Sequence, residues 1–200
     1  MLTKITLIRH GQTRWNNKKR YLGHSDIDLD MMGKKQAQAT KRRIKNEAFH
    51  KIYSSDLKRA YHFAEILFKE KNVHKLPQLR ELNFGIFEGK THQEIMSSSA
   101  LIYTQWLNNP FKTDIPDGES LKSFKTRIIK AFLKIITDNK GKAVCIVTHA
   151  GPIRIILNHI AKKNNIWEPL PRLASIHMIE YTGREAKITT LNDTSHLTLF

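Results

Sequence analysis

An apolar run, Ile5 to Ile8, ends abruptly in Arg9-His10-Gly11. A buried strand of this kind delivers a cation and an imidazole to its own carboxyl end. Gly11 then lets the backbone turn sharply or approach a ligand closely. In open α/β sheets, ligands bind outside the carboxyl ends of the strands. A second apolar run, Ala143 to Val147, ends in Thr148-His149-Ala150-Gly151. Two strand ends, each with a histidine followed within two residues by glycine, predict one site built by their convergence.

The rest of the chain alternates strand-like and helix-like patterns. Leu2 to Ile8 reads as a central strand, followed by some twenty polar, glycine-punctuated residues that form a loop over the site. A helix is expected from Gly33 onward, with Ala37, Ile44 and Ala48 on its buried side. Lys51 to Ser55 is a short second strand. Asp56 is placed to cap a helix over 57–69, with Ala60, Ala64 and Leu67 facing inward. Val73 to Leu79 reads as a third strand, which Pro77 assigns to an edge. Residues 80–118 are irregular, with short helices expected at 91–96 and 100–108. They form an excursion over the active site, with Trp106 and Tyr103 packing it to the core. Glu119-Ser120 opens a strongly amphipathic helix carrying Phe124, Ile128, Ala131, Phe132 and Ile135, which Lys140-Gly141 ends. Pro152 to Ala161 is an apolar helix, proline suiting a first helical turn. Ile176 to Tyr181 and Lys187 to Leu191 form a hairpin about Gly183. This alternation predicts an α/β three-layer sandwich: a mostly parallel sheet, one antiparallel strand pair near the C-terminus, and a lid insertion. Residues 1–200 are expected to form a single domain, with 80–118 as the lid.

Composition narrows the class. Two hundred residues suit one core, and no stretch approaches the roughly 20 apolar residues of a membrane span. The first apolar run is too short for a secretory signal. The single cysteine, Cys145, lies in an apolar run and reads as buried and inert; it suits a reducing cytoplasm. The net charge of +16 implies attraction to anions. It fits a solvated basic surface, or steering of a phosphorylated substrate. No RNA-binding aromatic motif, zinc-finger spacing or arginine-rich arm supports a nucleic-acid partner.

Arg9-His10-Gly11, followed by Thr13 and Asn16, resembles the signature of the histidine phosphatase superfamily, the fold of the cofactor-dependent phosphoglycerate mutases. Three further blocks resemble the family in order: Tyr53 to Ala60, Glu81 to Gly89, and Val147 to Gly151. The resemblance implies His10 as nucleophile through Nε2, its tautomer fixed by a backbone carbonyl at Nδ1. It implies Arg9, Arg59 and His149 as a phosphate clamp, because guanidinium groups bind phosphate bidentately and stay charged. His149 is expected to be protonated beside a bound phosphate, and the Ala150 N–H to add a donor from a helix start. Thr13 and Asn16 are neutral donors, although Thr13 equally suits a turn. Glu81 is implied as general acid and then base, since a carboxyl group beside phosphate keeps its proton. Glu88 competes for that role, and the family spacing to Gly85 selects Glu81. Lys58 reads as solvated charge. Asp26, Asp28 and Asp30 lack calcium-loop spacing and read as loop acidity.

The implied activity is hydrolysis of a small phosphomonoester through phosphohistidine, with no metal or organic cofactor. The acid block Glu81-Leu82-Asn83-Phe84-Gly85 resembles the phosphatase branch, which includes α-ribazole phosphatase and broad-specificity bacterial phosphatases. Mutases of the family carry Glu-Arg-His-Tyr-Gly and a longer insertion and tail. One departure is Leu22-Gly23, where such phosphatases often carry glutamine before the glycine; Leu22 and Gly23 are nonetheless candidate substrate contacts, and Leu22 also suits packing on the lid. Phe84, Phe87, Tyr103 and Trp106 are expected to line the pocket for an apolar part of the substrate. The alternatives are mutase-type phosphoryl transfer and a non-catalytic anion- or nucleic-acid-binding module. The sequence leaves the oligomeric state open.

Overall fold

The structure is a computed structural model and describes residues 1–69, 71–163, 165 and 167–197. Its centre is β1 (Thr3–Arg9), whose side chains alternate between two hydrophobic layers. Ile5 and Leu7 face one layer and Ile8 the other, as the period of two along a strand requires. β1 lies parallel to β4 (Ala143–Thr148), which is parallel to β2 (Lys51–Ser54), itself parallel to β3 (Val73–Lys75). On its other side β1 is antiparallel to β5 (Ile176–Tyr181), and β5 is antiparallel to β6 (Ala186–Asp193). The sheet order is β3-β2-β4-β1-β5-β6. The C-terminal hairpin is present as expected, and β5 makes a second antiparallel pairing with β1.

Helices cover both faces. α5 (Leu121–Asp138) and α6 (Ala150–Ile160) pack on the Ile5, Leu7, Val144 and Ile146 face. α2 (Met31–Arg43) and α3 (Lys58–Leu67) pack on the Ile8, Ile52, Cys145 and Val147 face. The α5 stripe is Phe124, Ile128, Phe132 and Ile135, spaced three or four apart, with Ala131 half-buried at its margin. Each such buried aliphatic or aromatic chain stabilises the fold by roughly 1.5–3 kcal/mol. Cys145 is fully buried between β1 and β2, and burial pushes its thiol pKa up, so it stays protonated.

Several boundaries differ from the sequence expectation. α2 begins at Met31 because Asp30 caps it, accepting from Gly33 N at 2.8 Å. It ends at Arg43, so Ala48 is exposed outside it and Phe49 fills the layer instead. Asp56 does not cap α3. Its carboxylate pairs with Arg80, and the first α3 amide, Lys58 N, donates to Asp26 Oδ1 at 2.7 Å. The third strand stops at Lys75, and a 3₁₀ turn, Pro77–Leu79, follows. β3 is an edge strand, as Pro77 indicated.

The excursion over 80–118 packs onto the α5–α6 layer through Leu82, Phe87, Ile95, Tyr103, Trp106 and Ile115. α4 (His92–Asn108) bends at Ser99, where φ −153° and ψ 34° leave the helical region, and so divides near the two expected short helices. Its base is closed by Glu119 N donating to Asn83 O at 3.0 Å. Gly85 sits there at φ +47°, and a Cβ would lie 2.1 Å from Pro116 O, so only glycine fits.

Candidate active site

Arg9 is registered opposite Thr148 on neighbouring parallel strands, so the next residues, His10 and His149, leave the sheet side by side. Their ring centroids are 5.1 Å apart at 64°. Both rings are buried. The His10 backbone is pinned at both ends, its N–H donating to Thr148 O (3.0 Å) and its carbonyl accepting from Ala174 N (3.1 Å). Nδ1 lies 2.7 Å from the Gly11 carbonyl. A carbonyl only accepts, so Nδ1 carries the proton and Nε2 keeps its lone pair. Gly11 is tightly enclosed; a Cβ there would lie 2.7 Å from Gly33 O.

Two arginines reach this point. Arg59, near the start of α3, is fully buried. Its Nε donates to His149 Nδ1 (3.2 Å), Nη1 to Ser25 O (3.0 Å) and Nη2 to Gly23 O (2.6 Å). A guanidinium has five N–H donors, so one donor remains on each Nη. Arg9 Nη1 donates to Pro171 O at 2.7 Å, while its buried Nε meets no acceptor among the described residues. Because His149 Nδ1 accepts from Arg59, that ring is neutral with its proton on Nε2, which lies 2.9 Å from Ser55 Oγ. Without a bound phosphate, His149 is thus a neutral ring whose one N–H faces Ser55. Ser55, just past the end of β2, was read in the sequence only as the last residue of that strand.

Glu81 enters from the excursion. It is 7% exposed, and its carboxylate accepts from Leu82 N through Oε1 and from Gly151 N through Oε2, both at 2.9 Å. A Cβ on Gly151 would lie 2.0 Å from Glu81 Oε1, so this contact requires glycine. Glu88, the competing carboxylate, is occupied elsewhere. It accepts from His24 N, Ser25 N and Phe84 N, and so fixes the loop whose carbonyls hold Arg59. Glu81 borders a cleft with Phe84, Trp106, Phe124, Ala150, Gly151 and Arg154. Phe87 and Tyr103 lie in the core instead, which corrects their assignment to the pocket. Arg154, on α6, is a cleft residue the sequence reading missed, because a charge within an apolar helix reads as its solvated side.

The remaining candidates divide. Thr13 caps α1 (Arg14–Asn17) by accepting from Asn16 N, and Asn16 Oδ1 returns to Thr13 N. Thr13 thus has the turn role, with its hydroxyl bonded to Asn16. Ala150 supplies the first N–H of α6, for which His149 is the N-cap. Gly23 acts through its carbonyl on Arg59, and Leu22 is a buried apolar side chain, so neither presents a side-chain donor to a substrate. Asp26, Asp28 and Asp30 each have a structural partner: the α3 start, His62 and the α2 start. Lys58 is exposed and pairs loosely with Asp26 at 3.6 Å.

Burial and the two guanidiniums set the charge states. His10 is held well below the ordinary imidazole range, first by burial and then by Arg59 and Arg9, against the Gly11 hydrogen bond. His149 is lowered likewise by burial, Arg59 and His10. Arg9 and Arg59 fall to about 10 through burial, with Glu81 opposing, and stay charged at neutral pH. A third buried histidine, His177 on β5, falls to about 4 through burial. All three have folded pKa values below the 6.5 of the unfolded chain. The unfolded state therefore takes up protons first as pH falls. Stability is full above that value and declines below it, by at most about 1.4 kcal/mol per histidine per pH unit. Urea midpoints at pH 7.5 and 5.5 are expected to show a clear loss at pH 5.5. Equal midpoints would contradict three neutral buried rings.

A family model for the histidine phosphatase superfamily (branch 1) matches residues 5–194. The chain belongs to that superfamily. It is 31% identical over 199 residues to phosphoglycerate mutase-like protein 4 of Arabidopsis thaliana, covering 97% of this chain and 86% of that protein. It is 31% identical over 201 residues to phosphoserine phosphatase 1 of Hydrogenobacter thermophilus, covering 98% of this chain and 95% of that enzyme. Among solved structures, Bacillus stearothermophilus YhfR superposes with a TM-score of 0.91 at 28% identity, covering 98% and 99% of the two chains.

Proposed function

We propose that this chain hydrolyses small phosphomonoesters by double displacement through a phosphohistidine on His10. The observation that carries the reading is the Nδ1 hydrogen bond to Gly11, which leaves Nε2 as a neutral nucleophile in the field of two guanidiniums, Arg59 and Arg9. The substrate phosphate docks on Arg9 Nε and the two remaining Arg59 N–H groups, takes the His149 Nε2–H in place of Ser55 Oγ, and has the Ala150 N–H and the Asn16 amide as further donors. Phosphoryl transfer needs such positioning and charge neutralisation of the equatorial oxygens. His10 Nε2 attacks phosphorus in line and the P–O ester bond breaks. Protonated Glu81 delivers its proton to the leaving oxygen. The resulting carboxylate then takes a proton from water, whose oxygen attacks phosphohistidine, and phosphate and free His10 result.

The leaving group occupies the cleft beside Glu81. Phe84, Trp106, Leu121 and Phe124 make its walls apolar, with Arg154 at one side. That supports a leaving group with an apolar body, and residues 80–118 acting as the lid over it within a single domain. The acid block supports hydrolysis over return of phosphate to a second hydroxyl. No helix among the described residues is long and apolar enough to cross a membrane, and a lone buried cysteine suits the cytoplasm. The test is a panel of alkyl esters in EDTA: phenylalkyl phosphates, phosphoserine and sugar phosphates, whose leaving groups are all alkoxides. Metal-free phosphate release with a higher kcat/KM for phenylalkyl esters is expected. Equal turnover across the panel would contradict the cleft reading, and release from none would contradict hydrolysis.

A further inference from the structure

Arg127, on the second turn of α5, places three of its donors on one short stretch of backbone and the other two on a carboxylate. Its Nη1 donates to Gln78 O (2.9 Å) and Arg80 O (2.8 Å), and its Nη2 to Glu81 O (2.8 Å). Nη2 and Nε also grip the Glu119 carboxylate at 2.8 and 2.7 Å. Five N–H groups thus meet five oxygens. The guanidinium also lies 4.9 Å from the Phe124 ring centroid, against the cleft wall. Glu119 closes the base of the excursion through its backbone bond to Asn83. On the other side, His24 Nε2 meets the same Glu81 carbonyl at 3.0 Å, from the loop that holds Arg59. Arg80 is tied in turn to Asp56 at 2.8 Å.

We infer that Arg127 is a positioning residue for Glu81: it fixes the acid's backbone through three carbonyls and ties that segment to the base of the excursion, while His24 links the Glu81 carbonyl to the phosphate-clamp loop. The inference rests on Glu81 as the proton donor. A carboxylic acid helps only when held within hydrogen-bond reach of the leaving oxygen, and small misplacement of a reacting group costs up to about 10²-fold in rate. Lysine places three donors on one nitrogen and cannot span three carbonyls and a carboxylate.

The test uses kcat/KM, which reports steps through leaving-group departure, on two esters. An alkyl phosphate requires protonation of its leaving oxygen; a nitrophenyl phosphate leaves without it. In Arg127→Met, the alkyl ester is expected to lose about 10- to 100-fold and the aryl ester far less. Glu81→Gln is expected to show the same bias, and adding Arg127→Met to it to cause no further selective loss. Arg127→Lys repeats the bias at smaller size if the methionine variant lacks a cooperative melting transition. Equal losses on both esters in the Arg127 variants, with Glu81→Gln still selective, overturn the positioning role alone. A non-selective Glu81→Gln overturns the assignment of the acid, and the inference with it.

Discussion

Replacing His10 with alanine is expected to lower phosphomonoesterase activity by at least about 10⁴-fold while the chain still folds. The size follows from the role: of the two imidazoles at these strand ends, only His10 offers a free lone pair. The second imidazole cannot substitute, because His149 Nδ1 is committed to Arg59 and its Nε2 carries the proton. The fold should tolerate the change, because the backbone of residue 10 is held by Thr148 and Ala174 independently of its side chain. The lost contacts are the ring contact with His149 and the hydrogen bond to the buried Gly11 O, and leaving that carbonyl unpaired costs about 1–3 kcal/mol. Steady-state rates beside a urea melt check both halves. Activity within tenfold of wild type would place the nucleophile elsewhere.

Replacing Arg59 with lysine is expected to lower kcat/KM by about 10²- to 10³-fold, the usual effect of removing a placed donor from a developing anion. Arg59 uses three N–H groups to hold Gly23 O, Ser25 O and His149 Nδ1, and the two left form a fork for phosphate. A lysine ammonium offers three donors at one point, so it either holds the loop or meets the anion. The partners left short are buried, which costs about 1–3 kcal/mol of stability. Lys58→Ala, one residue away, is the comparison. Its side chain is exposed and its pair with Asp26 is 3.6 Å long, so little change is expected. Parallel kcat/KM measurements and urea midpoints decide it; equal behaviour of the two variants would remove Arg59 from the clamp.

The elements that were legible in the sequence are those whose signal is local. β5 lies at Ile176–Tyr181 as read, and the α5 stripe follows helical spacing, because burial on one face writes a period into the chain. The pairing of His10 with His149 was legible because two apolar runs end in the same pattern. What was not legible depends on contacts distant in sequence. A local capping rule selects Asp56 for α3, yet Asp26 satisfies that amide from 32 residues away, which frees Asp56 to hold Arg80. The family spacing selects Glu81 over Glu88, but only the fold shows Glu88 gripping the amides of residues 24, 25 and 84. That His149 Nδ1 accepts from Arg59 was not legible either, because the two residues lie 90 apart in the chain. Arg127 and Arg154 carried no sequence signal, since a cation on an amphipathic helix is ordinary on the solvated side.

Double displacement requires a covalent bond between phosphorus and His10 Nε2. Its most direct measurement is a rapid acid-free quench of wild-type protein turning over a ³²P-labelled phosphomonoester in EDTA, followed by peptide mapping. A burst of label is expected that is stable to alkali, lost in acid, and located on the peptide holding His10, with none in His10→Ala. Turnover without any trapped label, or label on a carboxylate or on His149, would contradict it.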